Sequence, residues 1–166
     1  RPADSNETKV AWECALTYDG PTALVLSRQS LPMTTDGDAV RFGAETISET
    51  SNPDLILVGT GSEVSVCVAA AKLLSESGTK VNVVSMPSMD RFEQQPAQYR
   101  KTIFPPNVPV VSVEAGVTFG WSQYADASVG IDRFGASAPG STVLKNLGIS
   151  ADNVAQQARV VLSKAK

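Results

Sequence analysis

The stretch DLILVGTGSEVSVCVAAAKLLSESG, Asp54 to Gly78, decides the fold. Leu55 to Val58 is a continuous apolar run, the composition of a strand buried on both faces. Gly59-Thr60-Gly61 breaks it. From Ser62 the period changes, and Val64, Cys67, Val68, Ala71 and Leu74 recur on one helical face. Gly78 is a suitable C′ residue to end that helix. Strand, glycine turn and helix make the first half of a βαβ unit. KVNVVSMP (80–87), VPVVSVEAG (108–116) and SVGIDRFG (128–135) supply three more strands. Between them, SMDRFEQQPAQYRKTIFP (88–105) reads as two short helices broken at Pro96, and a helical turn is expected within 120–127. GSTVLKNLG (140–148) is a short helix. SADNVAQQARVVLSKAK (150–166) is the last one, N-capped by Ser150, with Val154, Ala158, Val161 and Leu162 facing inward. Strands alternating with helices predict an α/β fold, a three-layer α/β/α domain with a mostly parallel sheet.

Upstream the pattern is different. RPADSNETKVAWECALTY opens with Asp4 as N-cap and Glu7 three residues on, a capping-box spacing. Val10, Ala11, Cys14, Ala15 and Tyr18 then share a helical face. PTALVLSRQSLP (21–32) follows, and Ala23 to Leu26 reads as a buried strand with Ser27 and Arg28 at its end. LPMTTDGDAVRFGAETISETSNPD (31–54) is polar and punctuated by turn residues. The expectation is a linker over 36–52, with a short strand near Ala39 to Phe42. Residues 1–35 are then the helix–strand tail of a neighbouring domain, and 53–166 are a second domain.

Composition narrows the function. The chain has 166 residues, 42% of them hydrophobic, and a net charge of −3. That supports a packed core, and with no basic run the chain is not expected to bind nucleic acid. No apolar run reaches the roughly 20 residues of a membrane span. There is no histidine, which removes His-type metal sites and Ser-His-Asp or Cys-His nucleophiles. Cys14 and Cys67 both fall in helical patterns, so a reducing compartment is expected rather than a disulfide framework. The chain starts at Arg1 without Met, the look of a processed or excised piece.

Several candidate sites remain. GTGSEV (59–64) is where a glycine loop would cradle a phosphate, but Val64 replaces the third glycine of the dinucleotide fingerprint and no Walker lysine follows. The simpler reading is a tight βα turn with Ser62 as N-cap and Glu63 in the first helical turn. Glu114 lies at the carboxyl edge of a strand, where α/β sheets bind ligands, or is a hydrogen-bonded loop residue. Asp90, Arg91 and Glu93 read as a solvated helix face. DRFGASAP (132–139) offers a pocket wall or subunit contact and reads more simply as a packed loop. Trp12 and Trp121 read as packing or interface anchors. Arg28, at a strand end, is a phosphate-binding guanidinium or a plain surface arginine, and residue chemistry alone leaves both open.

Five motifs in register bear on the choice. RPAD-x-NE (1–7), LSRQ-x-LP (26–32), GTGSEV, FGW (119–121) and DRFGASAP closely resemble the carboxyl-terminal part of transketolases, in order and spacing, over essentially the whole chain. The resemblance implies that residues 1–35 end a pyrimidine-binding domain, and that 53–166 are the transketolase C-terminal domain. It implies a homodimeric enzyme that moves a two-carbon ketol unit between sugar phosphates, with thiamine diphosphate and a divalent metal, Mg or Ca. It gives Arg28 the substrate-phosphate role. It places the catalytic, cofactor-binding and metal-binding residues outside this chain, so no catalytic residue, cofactor or metal is expected here, and the chain alone is expected to be inactive. Ser30 stands where Asn is frequent. The expected location is cytoplasmic, or a plastid for a form that has lost its transit peptide. Two competing readings are a stand-alone Rossmann-like module for a small anion or nucleotide, and a purely structural dimerisation domain.

Overall fold

A computed structural model describes residues 1–164. The elements run α1 (Ser5–Thr17), α2 (Ala39–Phe42), β1 (Glu45–Ser48), β2 (Leu55–Gly59), α3 (Glu63–Ser75), β3 (Val81–Ser85), α4 (Met89–Glu93), α5 (Ala97–Ile103) and β4 (Val110–Val113). A single 3₁₀ turn (Trp121–Gln123), β5 (Ala127–Val129), α6 (Gly140–Asn146) and α7 (Ala151–Lys164) follow. The last two residues of the expected final helix, 165 and 166, lie outside the described residues.

The five strands form one sheet in the order β1-β3-β2-β4-β5. All neighbours are parallel except β1, which runs antiparallel along β3 at the edge. β2 and β3 are buried at every residue, as their unbroken apolar runs require. Their side chains alternate between two cores. Leu55, Leu57, Val81 and Val83 pack with α3 and α7 on one face, while Ile56, Val58, Val84 and Met86 pack with Phe92, Ile103 and Trp121 on the other. Helices therefore cover both faces, and the expected α/β/α layering is observed.

The chain after β2 reverses direction in the sheet. It passes through α3 to β3 on one side of β2, then crosses to β4 on the other side. A crevice opens at such a reversal, outside the carboxyl ends of β2 and β4, and it is the usual ligand position in open α/β sheets.

Several local expectations are corrected. Ala39–Phe42 is a helical turn rather than a strand. It is stopped by Gly43 at φ +89°, and the strand comes later at Glu45–Ser48. The fourth expected strand is centred earlier, at Ala127–Val129, because Gly130 already leaves the ladder. The 132–139 loop is exposed rather than packed, and Phe134 is 99% accessible. Ala23–Leu26 is neither buried nor in a ladder; Val25 and Leu26 are 58% and 47% exposed. A strand needs a hydrogen-bonded neighbour, and among the described residues this segment has none.

Among the glycines, Gly43 makes the tightest backbone approach. Its carbonyl accepts from the Ser88 amide, and a Cβ there would lie 2.2 Å from the Phe92 amide nitrogen. With positive φ as well, Gly43→Ala is expected to lower the urea unfolding free energy by about 3 kcal/mol or more. A loss under about 1 kcal/mol would show that this approach is not rigid.

Candidate functional site

The switch-point crevice is built by residues that sequence spacing does not bring together. Glu63 opens α3 just after β2, and Glu114 follows β4. Between them lies Arg1, donating from Nη2 to Glu63 Oε2 at 2.9 Å and from Nη1 to Glu114 Oε1 at 2.7 Å. Glu63 is fully buried and also accepts from the Ala115 amide (3.0 Å) and Ser62 Oγ (2.6 Å). Glu114 Oε2 accepts from the indole N–H of the buried Trp121 at 2.7 Å. Both carboxylates are thus satisfied by charged and neutral donors, as burial demands.

The same arginine closes the glycine turn. Its carbonyl accepts from the Gly61 amide at 3.1 Å, and its guanidinium Nη2 would lie only 3.0 Å from a Cβ on Gly61. Gly61 has φ +61°, so the turn demands glycine for backbone and for space. Ser62 does not cap α3 with its side chain, contrary to expectation; its hydroxyl is drawn to Glu63 instead. An anion arriving at this helix end would meet a buried carboxylate and an arginine already in place. The glycine turn is therefore a tight βα turn, as the plainer reading of GTGSEV has it apart from the Ser62 side-chain cap, and it also docks Arg1, so the nucleotide-module reading loses its site.

A second cluster holds α1. Asp4 caps it, its Oδ1 accepting from the amides of Asn6 (3.0 Å) and Glu7 (3.1 Å). Glu7 does not complete the expected reciprocal box. Fully buried, it accepts from the Ala3 amide (2.7 Å) and from Ser85 Oγ (2.6 Å) at the end of β3. The Arg1 backbone nitrogen donates to Pro87 at 2.9 Å. Together these contacts dock α1 onto the carboxyl edge of the sheet.

Arg28 is exposed, in a bend outside both clusters. The carboxylates that the structure gathers at the crevice, Glu63 and Glu114, are thus not joined to the predicted phosphate arginine. Glu93 accepts from Tyr124 and Arg100, so the expected solvated face is partly tied down. Trp121 is a packing anchor as read, whereas Trp12 is 53% exposed. Burial pushes the Cys67 thiol far up, which removes it as a nucleophile. Among the described residues, no group of three or more His, Cys, Asp or Glu is placed to hold a metal ion. None of the helices there is long and apolar enough to cross a membrane.

Missed by sequence reasoning was Arg1, read only as the first letter of a motif. No local pattern marks it, because its partners lie 62 and 113 residues away.

Comparison with known proteins places these features. Residues 43–150 match the family described as "Transketolase-like TK C-terminal domain". The chain is 43% identical to the transketolase of Geobacillus stearothermophilus, over 99% of this chain and 26% of that protein. The transketolase of Leishmania mexicana superposes with TM-score 0.95 at 43% identity, over 99% of this chain and 25% of the other. A Pichia stipitis transketolase in complex with sedoheptulose-7-phosphate superposes with TM-score 0.94 at 37% identity, again over 99% and 25%. The chain thus spans about a quarter of the length of the relatives it matches.

Removing one partner of the crevice cluster leaves a buried charge unpaired. Arg1→Met is expected to destabilise the chain by about 3 kcal/mol. Adding Glu63→Gln should restore part of that, so a double-mutant cycle by urea denaturation is expected to show strong coupling. Simple additivity would place the two residues apart in solution.

The second cluster has opposite pH signatures. For Asp4, burial raises the carboxyl's pKa, but hydrogen bonds from Thr34, Glu7 and Thr35 outweigh it, and the net is below the ordinary value. Its stabilisation is present above the unfolded-state value and lost as pH falls through the folded one. For Glu7, burial holds the carboxyl above its ordinary value, against the donors Ser85 and Ala3. Its stabilisation is full below the unfolded-state value and lost as pH rises through the folded one. Urea midpoints across pH should therefore show Glu7→Gln flattening the decline above the ordinary glutamate range. An unchanged profile would count against a raised Glu7.

Proposed function

The chain belongs to the transketolase family, and from that premise we propose that it is the carboxyl-terminal quarter of an enzyme transferring a two-carbon ketol unit between sugar phosphates. The observation that carries this reading is similarity along 99% of the chain to transketolases, one of them bound to a ketose phosphate. Residues 1–35 end the pyrimidine-binding domain, 36–52 connect, and 53–166 form the C-terminal domain. The whole enzyme is a homodimer acting on sugar phosphates in the pentose phosphate pathway or Calvin cycle, with the cytoplasm as its default location.

Thiamine diphosphate, with a divalent metal, supplies the carbanion-stabilising chemistry of such an enzyme. The residues present here do not fit that pair: the glycine turn after β2 is occupied by Arg1, already paired with the buried Glu63, and among the described residues no group of three or more His, Cys, Asp or Glu is placed to hold a metal ion. This chain's part is to bind and orient. Arg28 offers a rigid fork of donors for the substrate phosphate, which holds the sugar's far end and directs its reacting carbon. Its exposed position in the bend at residues 28–29 supports that role. The terminal domain contributes packing and dimer contacts, and the chain alone is inactive.

Steady-state kinetics of the full-length enzyme test Arg28. Arg28→Ala should raise KM for phosphorylated acceptors by roughly 10- to 100-fold, as for loss of a charged hydrogen bond. KM for glycolaldehyde, which has no phosphate, should change by less than about twofold. Equal losses on both acceptors would sink the assignment.

A further inference from the structure

We propose that Asp4 is a positioning residue for Arg28: its carboxylate ties down the loop that presents the arginine to the sugar phosphate. This rests on the reading of Arg28 given above.

Within this chain the segment that carries Arg28 has few tethers. Among the described residues, no hydrogen bond joins residues 19–33 to the rest of the chain. Upstream of the arginine, the tether is apolar: Leu24 packs on the cluster of Val10, Ala11 and Val40. Downstream, the first polar tether is Asp4. Its Oδ2 accepts from the backbone amides of Thr34 (2.7 Å) and Thr35 (2.8 Å), and its Oδ1 accepts from Thr35 Oγ1 (2.9 Å). Asn6 adds a bond from Nδ2 to the Thr35 carbonyl at 2.6 Å.

Asp4 is itself fixed. It is 5% exposed, caps α1 through Oδ1, and belongs to the element that Glu7 and Arg1 dock onto the sheet. One carboxylate therefore does two separable things. One oxygen caps a helix, which Ser does equally well. The other holds two consecutive amides of a distant loop, which Ser is too short to do. Those amides follow Arg28 by only six and seven residues, so releasing them frees one end of the loop on which the guanidinium is aimed. Aim matters because binding of the far phosphate is what orients the reacting end.

Asp4→Ser in the full-length enzyme separates the two roles. KM for a phosphorylated acceptor should rise roughly tenfold with kcat within about twofold, while KM for glycolaldehyde stays put. In an Arg28→Ala background the same change should have no further effect on KM, since there is no guanidinium left to aim. Hydrogen exchange should quicken across residues 27–35 while the α1 amides keep their protection. Thr35→Val leaves the cap intact and should give the same signature at smaller size, and it decides the question if Asp4→Ser does not fold. Equal KM increases on both acceptors, additivity with Arg28→Ala, or unchanged exchange in the loop would each overturn the proposal. If Arg28→Ala itself shows no phosphate preference, the reading of Arg28 falls and this inference with it. If Arg28→Ala shows the preference and neither Asp4→Ser nor Thr35→Val does, only the positioning role falls.

Discussion

Everything in this chain is arranged around one guanidinium. Arg1 occupies the crevice at the sheet's switch point and bridges two carboxylates that follow adjacent parallel strands. Glu63 cannot be buried without it, since a carboxylate in that position with only an amide and a hydroxyl for partners carries a large desolvation cost. The dependence runs both ways. Arg1 precedes α1 by only four residues, so the ion pairs also set where α1 lies. Glu7 on Ser85 and the Arg1 backbone on Pro87 then fix its rotation and tilt against the same edge. These contacts, all at or just beyond the carboxyl ends of β2, β3 and β4, join the leading segment to the sheet.

That arrangement explains why a fold built like a nucleotide-binding domain lacks the matching site here. The glycine turn, helix N-terminus and strand reversal are all present. Their ligand is the chain's own arginine, and the negative charge they would offer an incoming phosphate is that of Glu63. In this domain the usual ligand crevice has become a joint. In the function proposed above, phosphate recognition falls instead to Arg28, on the far side of α1 in sequence. The joint matters to it only through the elements between them.

How much of this the sequence disclosed follows from the range of each interaction. Buried runs such as Leu55 to Val58 and the helical face of Val64 to Leu74 are local patterns, and both elements appear where the periodicity puts them. The capping role of Asp4 was equally legible, because its partners are two and three residues away. The arginine joint was not, because its partners lie across the fold. Short elements failed for a different reason. Ala39 to Phe42 contains Val40 and Phe42, residue types that suit a strand, yet Gly43 must turn with positive φ under the backbone of Phe92, and a single helical turn delivers the chain there. Ser62 has the right identity for a cap, but a neighbouring buried carboxylate competes for its hydroxyl and wins. Arg28 stands apart from both cases: its motif was conspicuous, and the geometry of one chain supplies it with no neighbour that would reveal a role.

The mismatch at Ala23 to Leu26 is the most instructive. The composition is that of a strand with both faces covered, and the segment leads away from α1 with Val25 and Leu26 in solvent. Beside it, α1 turns Trp12 and Leu16 outward, at 53% and 81% exposure. A helix that buries Val10 and Ala11 on one side and exposes large apolar groups on another has been shaped for two neighbours. The chain supplies one of them, Val40 of α2 together with Leu24. The other must match an extended, apolar segment whose amides and carbonyls have no partner among the described residues, and a neighbouring strand with an apolar face meets both demands at once. Among the described residues no strand pairs with 23–26. Under the domain division proposed above, the sheet partners that its composition calls for belong to the neighbouring domain.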